Sequence, residues 1–189
     1  MELISLSCRI IIGLIFFSSA ISKFSNMIEH IVVVRKYQIL PPKAVKYFAY
    51  LDATIELIAS LLILFGYRIE LASLVILALV IVYTIAIIVN LIRGNRNMSC
   101  GCGGIIGDHN LSWLLPIRNI LICSIMVFLM NYNGHIFSID SLRSNSVYSL
   151  DSVYVFSTIV SSVLVIIVYS NLSSLVYISN SFKEILGKE

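Results

Sequence analysis

Apolar runs long enough to cross a lipid bilayer restrict this chain to one broad class of fold. The hydrocarbon core needs about 20 consecutive apolar residues from a helix, and the sequence offers five such runs, at residues 3–24, 48–67, 69–92, 111–130 and 153–178. Charged residues make up only 12% of the chain, against about 25% in soluble domains. We therefore predict an all-α, polytopic membrane protein with about five spans.

The organisation follows from these runs. Residues 1–130 are predicted to form a four-span core, and residues 131–189 a polar loop, a fifth span and a short tail. Residues 27–37 predict a short amphipathic helix on the membrane surface, which Pro41 and Pro42 would end. The first span lacks the basic leader and cleavage site of a signal peptide, so we expect it to be retained.

The net charge of +3 does not indicate nucleic acid as a partner, because the charges are scattered through short loops. In membrane proteins an excess of basic residues in the loops on one side indicates that this side faces the cytoplasm. Five spans place the first loop, the third loop and the C-terminus on one side, with nine Lys and Arg residues against three on the other. Taken alone, this count places the third loop in the cytoplasm.

Cys100 and Cys102 stand one residue apart in that third loop, among glycines. A disulfide across this spacing closes a small, strained ring, and strained disulfides exchange readily. His109 follows in the same loop, so a metal site of two thiolates and one imidazole is the alternative. Structural zinc sites have four ligands and wider cysteine spacing, so we favour redox chemistry and predict no metal.

Ionisable residues at membrane depth are functional candidates, because burying them in lipid is costly. Asp52 and Glu56 are four residues apart and share a helix face. Arg118, followed by Asn119, lies in the same half of the membrane, as does Lys23. We expect an ion pair between Glu56 and Arg118. It would act as a structural link between helices, as part of a proton relay, or as a polar anchor beneath the cysteine loop.

At this point the sequence resembles a known family, the MauE/DoxX-like redox-associated membrane proteins. The resemblance covers roughly residues 5–130. The matching segments are Arg9-Ile-Ile-Ile-Gly13, Ser22-Lys23-Phe24, Tyr37-Gln-Ile-Leu-Pro41, Glu56 with Leu64-Phe65-Gly66, Cys100-Gly-Cys102-Gly-Gly104, Trp113 and Arg118-Asn119.

The resemblance implies a bundle of about four core spans that acts with a thioredoxin-like partner in forming disulfides in exported proteins. One member of the family serves methylamine utilisation. Cys100 and Cys102 would be the redox pair, with Glu56, Arg118 and Lys23 as polar support. A quinone in the bundle could exchange electrons with the pair, although no sequence signature identifies a site for it.

The family chemistry favours an oxidising compartment outside the cytoplasm, in conflict with the charge count. We favour a protein of the cell (inner) membrane with its cysteine loop outside, because five of the nine basic residues lie in or beside the first loop, where they could bind lipid headgroups. Two other functions stay open: a non-catalytic subunit or scaffold of a respiratory or transport complex, and a small carrier using Asp52, Glu56 and Arg118.

Overall fold

The fold is a bundle of helices in a computed structural model that describes residues 2–95, 98–101, 103, 111–132, 156–168 and 171. Its helices are α1 (Glu2–Ser25), α2 (Met27–Lys36), α3 (Pro42–Phe65), α4 (Ile69–Ile92), α5 (Leu114–Asn131) and α6 (Phe156–Val168). Within the described residues, α1, α3, α4 and α5 are long and apolar enough to cross a membrane. The predicted all-α polytopic bundle is confirmed.

The helix ends follow from proline and glycine. Pro42 begins α3, where an absent amide costs nothing because the first-turn amides have no partner in the helix. Gly66 ends α3 with a positive φ of 63°, and the Tyr67 amide returns to the Leu62 carbonyl. Gly94 ends α4 in the same way, with a φ of 80°. Glycine reaches this left-handed conformation without the strain that a Cβ brings.

Two helix boundaries differ from the predicted ones. Helix α3 begins at Pro42 rather than at residue 48, because the proline starts the helix before its apolar stretch begins. Helix α5 begins at Leu114 rather than at residue 111. Of the predicted fifth span, α6 covers residues 156–168, and the rest lies almost entirely outside the described residues, as does most of the predicted polar loop before it.

Small residues let the spanning helices approach closely. Helix α1 packs mainly on α3, and α4 mainly on α5. The side chains of Ala20, Ala53 and Ala72 are fully buried between helices. Without a hydrophobic driving force in lipid, helices associate through this close packing and through polar contacts. Because α1 packs on α3, polar side chains of these two helices meet in one buried cluster.

Helix α2 forms as predicted, but one of its faces is turned into the protein. His30, Val33, Val34 and Tyr37 recur at the i, i+3, i+4, i+7 spacing of a single helical face, and all four line a cavity at this end of the bundle. On the other face Ile28 is exposed. The helix therefore covers the end of the bundle where α1 finishes and α3 begins.

Candidate redox site and buried charge cluster

The ammonium group of Lys23, at the end of α1, contacts two carboxylates of α3. Lys23 Nζ donates to Asp52 Oδ2 at 2.9 Å and to Glu56 Oε2 at 2.5 Å. Both acids contact the same ammonium because residues four apart lie on one face of a helix. The three side chains are at most 4% exposed. All three are ionisable residues predicted from the sequence to lie at membrane depth, and the structure brings them together.

The cationic partner of Glu56 in the structure is Lys23, whereas the sequence predicted Arg118. The expected ion pair between Glu56 and Arg118 is corrected by the structure, in which Glu56 pairs with Lys23. The reason is the helix pairing: α1 packs on α3, whereas α5, which carries Arg118, packs mainly on α4. Arg118 instead lines the cavity beside the cluster.

Two further polar residues belong to the cluster, and neither is among the site residues predicted from the sequence. Tyr83 of α4 donates its hydroxyl hydrogen to Asp52 Oδ1 and accepts a bond of 3.0 Å from Lys23 Nζ. His30 of α2 places Nε2 3.3 Å from Asp52 Oδ2. A signal for His30 was present in the sequence, since it belongs to the inward face of α2. Tyr83 carries no formal charge, so it does not stand out among the ionisable residues at membrane depth.

The charges of Lys23, Asp52 and Glu56 do not cancel. One ammonium faces two carboxylates, and the guanidinium of Arg118 lines the same cavity. Buried charges need close partners, because the surrounding apolar medium solvates them poorly. The contacts of Lys23 with both acids therefore provide the close partners that these buried carboxylates need.

The described part of the loop that carries Cys100, here called the cysteine segment (residues 98–101 and 103), lies directly against α1 and α2. The Tyr37 hydroxyl donates to the Cys100 carbonyl at 3.2 Å. Gly101 and Gly103 have φ values of 69° and 51°. A Cβ on Gly101 would lie 2.8 Å from Val33 Cγ1, and one on Gly103 would lie 2.7 Å from Ser22 Oγ. The glycines allow both the backbone turn and this close approach.

One cavity joins the cysteine segment to the charge cluster. Cys100 and Gly101 line it, together with Lys23, Asp52 and Glu56. Cys100 is buried, with 9% of its surface exposed. The predicted convergence of thiol and charges at one end of the bundle is therefore present for the part of the site that the structure describes.

The remaining predicted residues fall into two groups. Asn119 lines the cavity near Arg118 and donates from Nδ2 to Thr84 Oγ1 at 3.0 Å, which links α5 to α4. Cys102 and His109 lie outside the described residues. Within the described ranges, no three His, Cys, Asp or Glu side chains are grouped so that they could hold a metal ion.

Comparison with known proteins places the chain in a family. Residues 1–131 match the family model described as "Methylamine utilisation protein MauE". The chain belongs to the MauE family. Two relatives carry the name "Methylamine utilization protein MauE". The one from Paracoccus denitrificans is 28% identical over 117 residues, and the one from Methylophilus methylotrophus is 31% identical over 99 residues.

These matches cover part of each protein. They span 62% of this chain and 63% of the Paracoccus protein, and 52% of both chains for the Methylophilus protein. No solved structure matches the chain. The MauE-like segment contains α1 to α5 and every site residue discussed above.

We predict that Lys23→Met destabilises the protein far more than Lys46→Met. Lys23 is buried between two acids, whereas Lys46 is an exposed lysine at the start of α3. Removing one partner of a buried ion pair costs about 3–5 kcal/mol, since it leaves the other charge uncompensated. Unfolding in detergent, followed by circular dichroism, measures the difference.

Glu56→Gln is the informative companion to that experiment. It leaves Lys23 and Asp52 as a balanced pair, so its destabilisation should be smaller than that of Lys23→Met. Equal stability of Lys23→Met and Lys46→Met would contradict the assignment of Lys23 as the charge that holds the cluster.

We also predict that Gly101→Ala exposes the Cys100 thiol, whereas Gly94→Ala does not. Both glycines have positive φ, so both substitutions strain the backbone. Only at Gly101 does the added Cβ meet a side chain, that of Val33; at Gly94 nothing lies within 4 Å. Cys100 should therefore react faster with maleimide in the Gly101→Ala variant alone, provided the other three cysteines are replaced by serine. Equal rates in the two variants would rule out the contact with α2 as the shield of Cys100.

Proposed function

We propose that this protein is an integral membrane thiol–disulfide redox protein, with Cys100 and Cys102 as its redox pair. The observation that carries the proposal is the position of Cys100, which lines the same cavity as the Lys23, Asp52 and Glu56 cluster. A thiol held beside ionisable groups in an apolar bundle has neighbours that can take up and return protons. Disulfide chemistry needs such neighbours, because forming one disulfide from two thiols releases two protons.

The proposed partner is a soluble, thioredoxin-like protein that handles exported, cysteine-containing proteins. A thiolate of the partner attacks the Cys100–Cys102 disulfide and forms a mixed disulfide, and the partner's second thiol then displaces it. The partner leaves oxidised, and Cys100 and Cys102 leave as two thiols. The two electrons have moved from the partner to this protein. The oxidised partner can then form disulfides in exported proteins.

The burial of Cys100 suggests how the two cysteines divide this work. Cys100 is 9% exposed, lines the cavity, and packs in an apolar cluster with Tyr37, Ile87 and Leu91. A soluble partner cannot reach a thiol in this position without moving α2. We therefore assign exchange with the partner to Cys102, and exchange with the membrane interior to Cys100.

The cellular setting follows from the chemistry and from the relatives. Stable exchange of disulfides takes place outside the reducing cytoplasm, so we place the cysteine loop on the outer side of the cell membrane. Both relatives are named for methylamine utilisation. By extension, the exported substrates of this protein would belong to that metabolism.

Trapping of a mixed disulfide tests the division of work between the cysteines. In a Cys100→Ser variant the Cys102 thiolate can attack the disulfide of the oxidised partner, which breaks that bond and leaves the partner joined to Cys102. Without Cys100 no second thiol of the pair can displace the partner, so the mixed disulfide with Cys102 should accumulate. The matched control is Cys123→Ser, which removes a thiol from the middle of α5 and should trap nothing. Non-reducing gels with mass spectrometry identify the trapped protein.

The outcomes separate the competing functions. Trapping in a Cys102→Ser variant alone would reverse the assignment of the two thiols. Full biological function of a variant that lacks both cysteines would overturn the redox proposal and favour a scaffold role within a larger membrane complex.

A further inference from the structure

The cavity beside Cys100 has the size and lining of a binding site for a small apolar ring. Its volume is about 190 Å³, and an apolar cavity of about 150 Å³ is large enough to take up benzene. Side chains of four spanning helices form its apolar walls, among them Phe16 of α1, Phe48 of α3, Val80 of α4 and Ile122 of α5. Because these helices cross the membrane, the cavity lies within reach of molecules dissolved in the bilayer.

A buried imidazole supplies a polar contact within this apolar lining. His30 lines the cavity and is 8% exposed. Its Nε2 lies 3.3 Å from Asp52 Oδ2. Its Nδ1 makes no hydrogen bond with any described residue. A buried polar atom without such a bond is costly, so a ligand that bonds to Nδ1 would be stabilised there.

The charges around the cavity favour a neutral ligand. Among the described residues that line it, Lys23 and Arg118 are basic, and Asp52 and Glu56 are acidic. These formal charges cancel, so the lining selects neither an anion nor a cation. A ligand that stays neutral before and after it accepts electrons fits this lining best.

We propose that the cavity binds the headgroup of a lipid-soluble quinone, which accepts electrons from the cysteine pair. The inference rests on the proposed redox function of Cys100 and Cys102. In the step, the two S–H bonds break and one S–S bond forms. Two electrons and two protons pass to the two quinone oxygens, which become the hydroxyls of a quinol. His30 contacts one of these oxygens through Nδ1.

Two half-exposed residues of the lining leave the cavity accessible to a ligand from the bilayer. Ile39, which follows α2, and Val82 of α4 are both about half exposed, at 49% and 48%, and both line the cavity. The cavity is therefore not closed off by the bundle. An isoprenoid tail could extend between these side chains while the ring stays beside Cys100.

Quinone-dependent oxidation of the purified, reduced protein tests the proposal. The protein carries Cys8→Ser and Cys123→Ser, is kept under anaerobic conditions and is mixed with a short-chain ubiquinone. Quinol formation is followed by absorbance, and the thiols are counted by maleimide gel shift. We expect one quinol for each disulfide formed.

Variants of two cavity residues, His30 and Ala86, locate the reaction. His30→Phe removes a hydrogen bond worth about 1.4 kcal/mol, so we expect about tenfold weaker quinone affinity. Ala86→Phe places a ring in the cavity and should also slow oxidation. The control is Ile28→Phe, which puts the same side chain on the exposed face of α2. His30→Asn, which keeps a polar group, should restore part of the affinity, and thermal unfolding verifies that each variant is folded.

Diamide, a small thiol oxidant, separates failure of this proposal from failure of the redox function. If diamide forms the disulfide in the parent protein and the quinone does not, the quinone site is overturned and the redox function stands. If neither forms it, the redox function itself fails. If folded His30→Phe and Ala86→Phe react with the quinone as fast as Ile28→Phe, the cavity is not the site.

Discussion

The architecture of this end of the bundle depends on one buried ammonium group. Lys23 neutralises part of the charge of Asp52 and Glu56, and its contact with Tyr83 extends the link from α1 and α3 to α4. Three helices are thereby held at one depth by groups that cannot be left unpaired in an apolar medium. His30 adds α2 to the same cluster through Asp52. The helix that covers the cavity is thus tied to the charges beneath it.

The same helix connects the charge cluster to the thiol. Helix α2 contacts Asp52 through His30, and its following residue, Tyr37, holds the Cys100 carbonyl. The Tyr37 carbonyl in turn accepts bonds from Asn90 and Arg93 at the end of α4. Helix α2 and the residue that follows it are therefore in contact with both the charge cluster and the cysteine loop. In the proposed mechanism, this short helix links the site of proton transfer to the site of electron transfer.

The sequence predicts the spanning helices well, because apolar length alone determines which segments can cross a bilayer. It also identifies Lys23, Asp52, Glu56 and Cys100 as neighbours, because each falls in the same half of the membrane. The partner of Glu56 could not be read from depth alone: it depends on which helices pack together, and α1 rather than α5 lies against α3. The burial of His30 was missed because we read α2 as a helix on the membrane surface, although its inward face was present in the spacing of His30, Val33 and Tyr37.

The most direct test of the central claim is maleimide labelling of Cys100 and Cys102 in intact cells, in a Cys8→Ser/Cys123→Ser background. A redox pair that works outside the cytoplasm should be labelled by an impermeant reagent only after prior reduction. Labelling that requires cell lysis and no reductant would mean free thiols facing the cytoplasm, and it would contradict both the orientation and the oxidative role proposed for this protein.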